Sequence, residues 1–368
     1  MVARIAERSG YSEELLAASI EALAAPFSSA RLGAFSRKVS PRRDLVGFVM
    51  PGNLPGAGLH EVVIALVSGC SLMVKTAASE PDFMHEFADA VERHSPTLAR
   101  RIAVFDWSRE QRELTAALRE SCDRIVVFGD DDTILNLGAS ARLRRAGGSE
   151  GNERFAGFGN RVSGAIVAAN SNEGGGRNEA PEAMLARDVT LFEQRGCLSP
   201  HHIFVEDGDG SRAFAFAAGI AGTIERLARA LPPPGGLRLE DAAAVRRARE
   251  SARWRGLGGD SVQLWEGTGL GWTVIYDRDA HFTVSPGFRT VCVSPFFELE
   301  DLERRLEPVR GRVEAFAIAG RPRANDQLRV LLRELGASYV CGAGAMQSPP
   351  IEWPHGGGAF LRSIVGGR

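Results

Sequence analysis

The feature that most constrains the fold is a regular alternation of short apolar runs and amphipathic helical runs between residues 44 and 145. Short apolar runs bounded by turn residues predict buried strands, and the stretches between them have the apolar spacing of helices. Such alternation predicts a parallel sheet with helices on its faces, which is an α/β fold. The predicted strands are 44–50, 71–75, 102–105 and 124–128, and the predicted helices are 59–68, 82–94, 109–120 and 133–145.

Polar or glycine residues follow three of these strands directly. Asn53 lies in the Gly/Pro-rich turn 51–58, Lys75 ends the second strand, and Gly129 follows the fourth. Ligands of open parallel sheets bind outside the carboxyl ends of the strands. A turn leading into a helix N-terminus also suits a phosphate group. The turn is neither a GxGxxG nor a Walker sequence, so a plain strand-to-helix connection remains an alternative.

Three consecutive acids, residues 130–132, follow Gly129. Aspartate is a common helix N-cap, so a solvated helix start is favoured over a metal site. The α/β pattern continues in the second half of the chain after a glycine-containing connector, 154–160. With 368 residues we expect two domains. The first comprises 1–158 with 341–368, and the second comprises 159–340.

Cys197 stands out because it follows a glycine in a loop between an amphipathic run and a β-branched run. A glycine there lets a substrate approach the backbone, and a thiolate in such a loop can accept an acyl group. The alternative is a small buried hydrophobe, since cysteine is among the most buried residue types. We expect His201 and His202 to be structural. His355, in the aromatic and glycine-rich tail, is either a functional polar group or a surface-loop histidine.

Composition excludes several classes of protein. A formal net charge of -2, with no basic patch, predicts no nucleic-acid partner. The five cysteines are odd in number, far apart and without a CxxC pair, so we expect neither disulfides nor a metal site. No signal peptide or membrane-spanning run is visible. The expected location is the cytoplasm.

The order of these motifs resembles the aldehyde dehydrogenase superfamily, and within it the LuxC-type acyl-CoA reductases, from about Ser9 to the C-terminus. The resemblance implies two domains, each with a mainly parallel sheet. The first is Rossmann-like and binds a nicotinamide dinucleotide, and the second carries the nucleophile. The implied enzyme is of the long-chain fatty acyl-CoA reductase type. It reduces acyl-CoA, or a carrier-bound acyl group, to an aldehyde through a cysteine acyl-enzyme.

The resemblance also implies roles for individual residues. Cys197 is the acyl-accepting nucleophile, and the amide of Asn53 contributes to the oxyanion hole. Lys75 binds the adenosine ribose of the cofactor. Gly129 and Asp130 occupy the glycine-serine loop beneath the pyrophosphate, with aspartate in place of serine.

Departures from the family pattern carry information as well. Gly157, counted among the cofactor-binding residues, lies where hydrolytic aldehyde dehydrogenases have their water-activating glutamate. The usual Lys-x-x-Glu becomes Lys75-x-x-Ala78, which favours NADPH over NADH unless Glu80 takes the place of the missing acid. The segment 283–287 lacks the acid that holds the nicotinamide ribose.

Two interpretations of the function therefore remain. The first is the reductase, with either a homo-oligomer or a biosynthetic partner enzyme as its assembly. The second is a degenerate family member that binds an acyl group or a partner without reducing it.

Overall fold

The computed structural model describes residues 2–142, 154–169, 179–259, 261–320 and 325–365. The chain divides into two compact units. The first unit comprises Met1–Ser9, Leu23–Asn160 and Pro350–Arg368, and the second comprises Gly10–Ala22 and Arg161–Pro349. Residues 10–22, which the sequence analysis assigned to the first domain, thus group with the second unit, as do residues 341–349.

The strands and helices are numbered here in chain order. The strands are β1 (Leu45–Val49), β2 (Ser71–Lys75), β3 (Ile102–Phe105), β4 (Arg124–Phe128), β5 (Phe155–Phe158), β6 (Val162–Val167), β7 (Pro200–Glu206), β8 (Val262–Glu266), β9 (Thr273–Asp277), β10 (Thr290–Phe296), β11 (Val313–Ala319) and β12 (Tyr339–Gly342). The α-helices are α1 (Val2–Ser9), α2 (Glu13–Ala24), α3 (Ser29–Lys38), α4 (Leu59–Val67), α5 (Asp82–His94), α6 (Pro96–Ala99), α7 (Arg112–Ser121), α8 (Asp131–Arg142), α9 (Pro181–Thr190), α10 (Ser211–Ala230), α11 (Leu239–Gly256), α12 (Leu299–Leu306), α13 (Asn325–Glu334) and α14 (Ala359–Val365).

The first unit contains a five-stranded sheet in the order β3-β2-β1-β4-β5, and every neighbouring pair is parallel. Val126 and Val127, consecutive residues of β4 that face opposite sides of the sheet, are both fully buried, because a sheet with helices on both faces buries both faces of its central strands. Val49 pairs with both Lys75 and Val127, so the carboxyl ends of these strands share one edge. The strand order reverses between β1 and β4, which is where open α/β sheets bind ligands.

The second unit contains a seven-stranded sheet in the order β12-β11-β6-β7-β10-β9-β8. Its pairs are parallel except at the β8–β9 edge. All residues of β10 and β11 are buried, and Leu302, Leu306, Leu328 and Leu332 pack with Phe316 in the core beside them. The expected class, an α/β fold with two mainly parallel sheets, is confirmed.

One local expectation was wrong. The connector predicted at 154–160 contains the edge strand β5, whose Phe155–Phe158 pairs with Ile125–Phe128. Its glycine hid the apolar alternation, and pairing with β4 supplies the order that the local sequence lacks. The aromatic and glycine-rich tail ends in α14, which buries Phe360 and Ile364. Among the described residues, no helix is long and apolar enough to cross a membrane.

Candidate active site

Cys197 lies in a tight turn just before β7. The backbone N–H of Ser199 donates to the carbonyl of Gly196 at 3.0 Å, and the Ser163 hydroxyl donates to the carbonyl of Cys197 at 2.6 Å. Cys197 is half-buried and forms no disulfide. Cys197 is therefore not the fully buried hydrophobe that the sequence allowed as an alternative.

The other four cysteines are poor candidates for a nucleophile. Burial raises the thiol pKa to about 11 for Cys70 and Cys122 and to about 12 for Cys292 and Cys341. A thiol with such a pKa is protonated at neutral pH, and the thiolate is the reactive form.

An unusual backbone turn immediately precedes the Cys197 loop. Phe192, Glu193 and Gln194 have φ angles of 54°, 54° and 57°, and Phe288 and Arg289 have φ angles of 54° and 53°. For residues with a β-carbon, the left-handed region costs about 1–2 kcal/mol each. Such strain persists only where surrounding contacts fix the backbone, and it clusters at functional sites.

Contacts within the second unit hold this turn. The Tyr11 hydroxyl donates to the carbonyl of Phe192 at 3.1 Å, and the N–H of Phe192 donates to the hydroxyl of Ser19 at 3.0 Å. Nε of Arg289 donates to Oε1 of Glu193 at 2.8 Å. The side chains of this ion pair are 0% and 1% exposed. Segments from both parts of the second unit, 10–22 and 161–349, therefore contribute to the turn.

The far side of the Cys197 loop is held by Gln347. Its amide donates to the hydroxyl of Ser199 at 3.1 Å and to the carbonyl of Asp188 at 3.2 Å. The Asp188 carboxylate in turn accepts the backbone N–H groups of Gly344 and Met346 at 2.7 and 3.2 Å. Burial raises the pKa of Asp188 to about 7, although these two hydrogen bonds oppose the shift.

His201 and His202 have structural partners, as expected. Nδ1 of His201 accepts the backbone N–H of Ser285 at 3.1 Å. Nδ1 of His202 accepts the N–H of Thr283 at 3.0 Å, and its Nε2 lies 2.9 Å from the hydroxyl of Ser294. Burial lowers the pKa of His201 to about 4 and that of His202 to about 3. Both rings are neutral at pH 7 and tie β7 to the segment 283–285.

The first unit brings three of the predicted site residues to one edge of its sheet. Asn53 is exposed in the turn after β1, Lys75 ends β2, and Gly129 follows β4. Gly129 donates its N–H to the carbonyl of Phe158 at 3.2 Å. Partial burial lowers the pKa of Lys75, and the charge of Arg109 adds to the effect.

Asp130 caps a helix. Its Oδ1 accepts the N–H of Thr133 at 2.7 Å at the start of α8. This hydrogen bonding lowers the pKa of the Asp130 carboxyl. The acidic run is therefore a helix start, as predicted. In the parts of the chain that the structure describes, no cluster of three histidine, cysteine or acidic residues could hold a metal ion.

Gly157 lies within β5 with its neighbour Val127 on β4. A β-carbon at this position would come within 2.6 Å of Cγ2 of Ile134. The φ angle of Gly157 lies outside the left-handed region, so crowding by a side chain of α8, and not backbone conformation, explains the glycine.

The Glu80 side chain accepts a hydrogen bond at the start of a helix. Its Oε1 accepts the N–H of Phe83 at 3.0 Å in the first turn of α5, and the residue is buried. Burial raises its pKa to about 7. Beside it, the Ser79 hydroxyl donates to the carbonyl of Gly52 at 2.9 Å, which folds this segment onto the turn after β1. Gly52 must lack a side chain, because a β-carbon there would lie 2.0 Å from Oγ of Ser79.

Sequence reasoning singled out His355 and missed its partner. Nδ1 of His355 lies 2.7 Å from Oε1 of Glu61, a buried residue in the first turn of α4. The imidazole stacks between Phe158 and Trp353, with ring centroids 4.3 and 4.1 Å away. His355 is thus not a surface-loop histidine. No local pattern identifies Glu61, because the pairing depends on residues far apart in the chain.

Open α/β sheets bind ligands at the carboxyl edge where the strand order reverses. Five parallel strands reverse their order at β1/β4, and Lys75 supplies a cation at the carboxyl edge. A β-carbon on Gly58, the residue before α4, would lie 3.0 Å from the Phe128 ring, so that helix start and the end of β4 approach closely. The second α/β unit holds Cys197 beside the strained turn 192–194.

The family model "Acyl-CoA reductase (LuxC)" matches residues 10–366, and the chain belongs to this family. It is accordingly an acyl-CoA reductase, an aldehyde-forming oxidoreductase. No curated protein matches the sequence.

Solved structures agree on the fold. A putative aldehyde dehydrogenase, PutA, from Anabaena variabilis is 18% identical with a TM-score of 0.64, over 93% of this chain and 75% of that one. Aldehyde dehydrogenase 21 from Physcomitrella patens is 12% identical with a TM-score of 0.69, over 99% and 80%. Proline utilization A from Bradyrhizobium japonicum is 15% identical with a TM-score of 0.67. The match covers 99% of this chain and 40% of that longer one.

Proposed function

We propose that the protein reduces an acyl thioester, acyl-CoA or a carrier-bound acyl group, to an aldehyde, with NADPH as reductant and Cys197 as the acyl-accepting nucleophile. The observation that carries the proposal is the contrast among the thiols. Cys197 occupies a turn fixed on both sides by hydrogen bonds, whereas burial raises the pKa of each of the other four cysteines.

In the proposed acyl transfer, the Cys197 sulfur attacks the thioester carbon and the carrier thiol leaves. The side-chain amide of Asn53 donates to the oxygen on which negative charge develops. One well-aimed donor of this kind stabilises a tetrahedral intermediate by about 3 kcal/mol. The exposure of Asn53 in the turn after β1 supports this role, because the amide is not buried in the core.

The first unit is proposed to hold the cofactor, which when bound supplies the hydride. Lys75 would bind the adenosine ribose, and Gly129 and Asp130 would lie beneath the pyrophosphate at the start of α8. Gly157 would border the cofactor with its backbone alone, since Ile134 fills the space that a side chain would need. The cation of Lys75 favours a phosphate-bearing ligand. The acids at residues 130–132 oppose one at the start of α8, where Asp130 already accepts the N–H of Thr133.

The preference for NADPH rests on charge. Position 78, where an acid would repel a 2′-phosphate, is alanine. The alternative acid, Glu80, is buried and accepts the N–H of Phe83. Its engagement in the start of α5 supports NADPH over NADH.

The absence of a carboxylate at Gly157 favours reduction over hydrolysis. A positioned general base accelerates attack by water by about 10²–10⁴-fold. Without one, the acyl-enzyme should persist until it is reduced or returned to a thiol.

The test is incubation of the purified protein with a panel of acyl-CoAs and NADPH, with aldehyde detected by mass spectrometry. The expected result is aldehyde that requires both reactants and Cys197. Acyl labelling without aldehyde, and no thermal shift with NADPH, would favour the rival, a degenerate member that binds an acyl group or a partner without reducing it. Light scattering of the same sample tests whether the enzyme is a homo-oligomer.

A further inference from the structure

The Cys197 loop is fixed by a network whose parts lie far apart in the sequence. On its N-terminal side, Gln194 spans the loop, since its Nε2 donates to the carbonyl of Pro200 at 2.6 Å. Gln194 is the third of three consecutive left-handed residues. The conformation of those three residues therefore sets the direction in which the loop leaves the turn.

The left-handed residues are held by a fully buried ion pair. Glu193 accepts from Arg289, and the N–H of Phe288 donates to the carbonyl of Glu193 at 2.8 Å. Gly287 lies against the same turn, since a β-carbon on it would be 3.4 Å from the carbonyl oxygen of Gln194. Two strained backbone segments, 192–194 and 288–289, thus support each other.

The conformation of this turn costs free energy. A turn that served packing alone would not need to bear that cost. In the described part of the chain, Nη1 of Arg289 and Oε1 of Gln194 are buried without a hydrogen-bond partner. Buried orphan groups and left-handed non-glycine residues are both uncommon, and strained backbone of this kind concentrates at functional sites. Both features occur in or against the turn that ends three residues before Cys197. Their occurrence together favours a functional origin for the strain.

We propose that Tyr11, Glu193 and Arg289 are positioning residues that hold the Cys197 thiol in its reactive orientation. The inference rests on the proposed role of Cys197 as the nucleophile. Tyr11 is the most informative of the three, because its hydroxyl donates to the backbone of the turn and is not a member of the ion pair. Burial raises the pKa of Tyr11, so the phenol stays protonated at every pH used below.

The chain offers a matched control for Tyr11. Tyr276 is also 4% exposed, and its hydroxyl donates to a backbone carbonyl, that of Gly210, at 3.3 Å. Tyr11→Phe and Tyr276→Phe each remove a buried tyrosyl hydrogen bond to the backbone in the second unit. A purely structural role predicts similar consequences for both variants.

The experiment measures the rate at which iodoacetamide alkylates Cys197, read by peptide mass spectrometry between pH 6 and pH 9, together with the melting temperature. We expect Tyr11→Phe to slow alkylation about tenfold, since small misplacements of a reacting group are costly, and Tyr276→Phe to change it less than about twofold. Both should lower the melting temperature by similar amounts. Alkylation of Cys197 should be slowed less by Arg289→Lys, which keeps the charge, than by Arg289→Met.

An alkylation rate for Tyr11→Phe that equals or exceeds the wild-type rate, or equals that of Tyr276→Phe, would overturn the inference. The Tyr11 comparison stands even if the Arg289 variants fail to fold. Alkylation needs neither thioester nor NADPH. A wild type that makes no aldehyde but shows a Tyr11-dependent alkylation rate would therefore refute the proposed reaction and leave the positioning role intact.

Discussion

Glu61 accepts a hydrogen bond from Nδ1 of His355, a residue 294 positions later in the chain, at a distance of 2.7 Å. His60, the neighbour of Glu61, contacts the same carboxylate oxygen at 3.4 Å and the carbonyl of Pro350 through Nε2 at 3.1 Å. Through these contacts the segment that follows Pro350 is fastened to the start of α4 within the first unit.

The first prediction concerns acid stability. Burial alone would raise the pKa of Glu61, but His355 and His60 outweigh it and lower the value from 4.5 to about 2. The unfolded chain therefore binds more protons in this window, and the contribution of Glu61, complete above pH 4.5, is lost as the pH falls toward 2. Glu61→Gln should lower the melting temperature at pH 7 and flatten its decline below about pH 4.5, as measured by circular dichroism.

Glu80 provides the opposite case in the same unit, because burial raises its pKa from 4.5 to about 7. The folded state then holds the extra proton, so its contribution is present below pH 4.5 and lost as the pH rises through 7. Glu80→Gln should raise the melting temperature at about pH 8 relative to wild type and change it little at about pH 5. Shifts of the same sign for both variants at high pH would contradict these assignments.

The second prediction is that Cys197→Ala abolishes acyl labelling and aldehyde formation, because the remaining thiols have pKa values raised by burial. Radiolabelled acyl-CoA should label the wild type, and excess thiol should release the label. Cys341→Ala, a change at the other half-buried cysteine, serves as the control and should keep the label. Wild-type labelling of Cys197→Ala would place the nucleophile elsewhere.

The third prediction is a preference for NADPH that Ala78→Glu reverses. The new carboxylate would repel the 2′-phosphate and accept hydrogen bonds from an unmodified ribose. The ratio of kcat/KM for NADPH and NADH should fall by about tenfold or more, equivalent to about 1.4 kcal/mol. Ala78→Gln, which matches the size without the charge, should shift the ratio less. A wild type that uses NADH better at equal concentration would rule out the charge argument.

The fourth prediction concerns Gly157. The wild-type acyl-enzyme should be long-lived without reductant, since no carboxylate is present there to activate water. Gly157→Glu should add thioesterase activity but also destabilise the fold by about 1–3 kcal/mol, because its β-carbon would meet Ile134 at 2.6 Å. Combining it with Ile134→Ala should recover part of the folding loss. Hydrolysis by the wild type as fast as aldehyde formation would show that another group activates water.

The sequence identifies the strands of the first sheet well where an apolar run is short and bounded by turns, as in β1, β2 and β4. It also places Asn53, Lys75 and Gly129 at one edge, because parallel strands end together. It does not reveal β5, whose pairing with β4 compensates for a weak local pattern. Nor does it reveal why position 157 is glycine, since the steric contact with Ile134 exists only once α8 packs beside β5.

The residues that hold the Cys197 loop could not be predicted from the sequence, for a different reason. Nothing in the sequence marks Glu193 and Arg289 as partners. Three left-handed residues in a row also contradict the backbone preferences of phenylalanine, glutamate and glutamine. Only contacts between distant segments make that conformation stable. Tyr11 in particular reaches Phe192 across 181 positions of sequence.

The way the chain passes between the units has a consequence for its synthesis. Residues 10–22 interrupt the first unit, which also needs residues 350–365, whereas every residue of the second unit has been made by position 349. The first unit therefore lacks Trp353, His355 and α14 until the segment after position 349 has been made. Domains usually fold as units in the order of their synthesis. Here the unit that begins first must be completed last, and until then the apolar surface that Phe360 and Ile364 cover stays open to chaperones or to other chains.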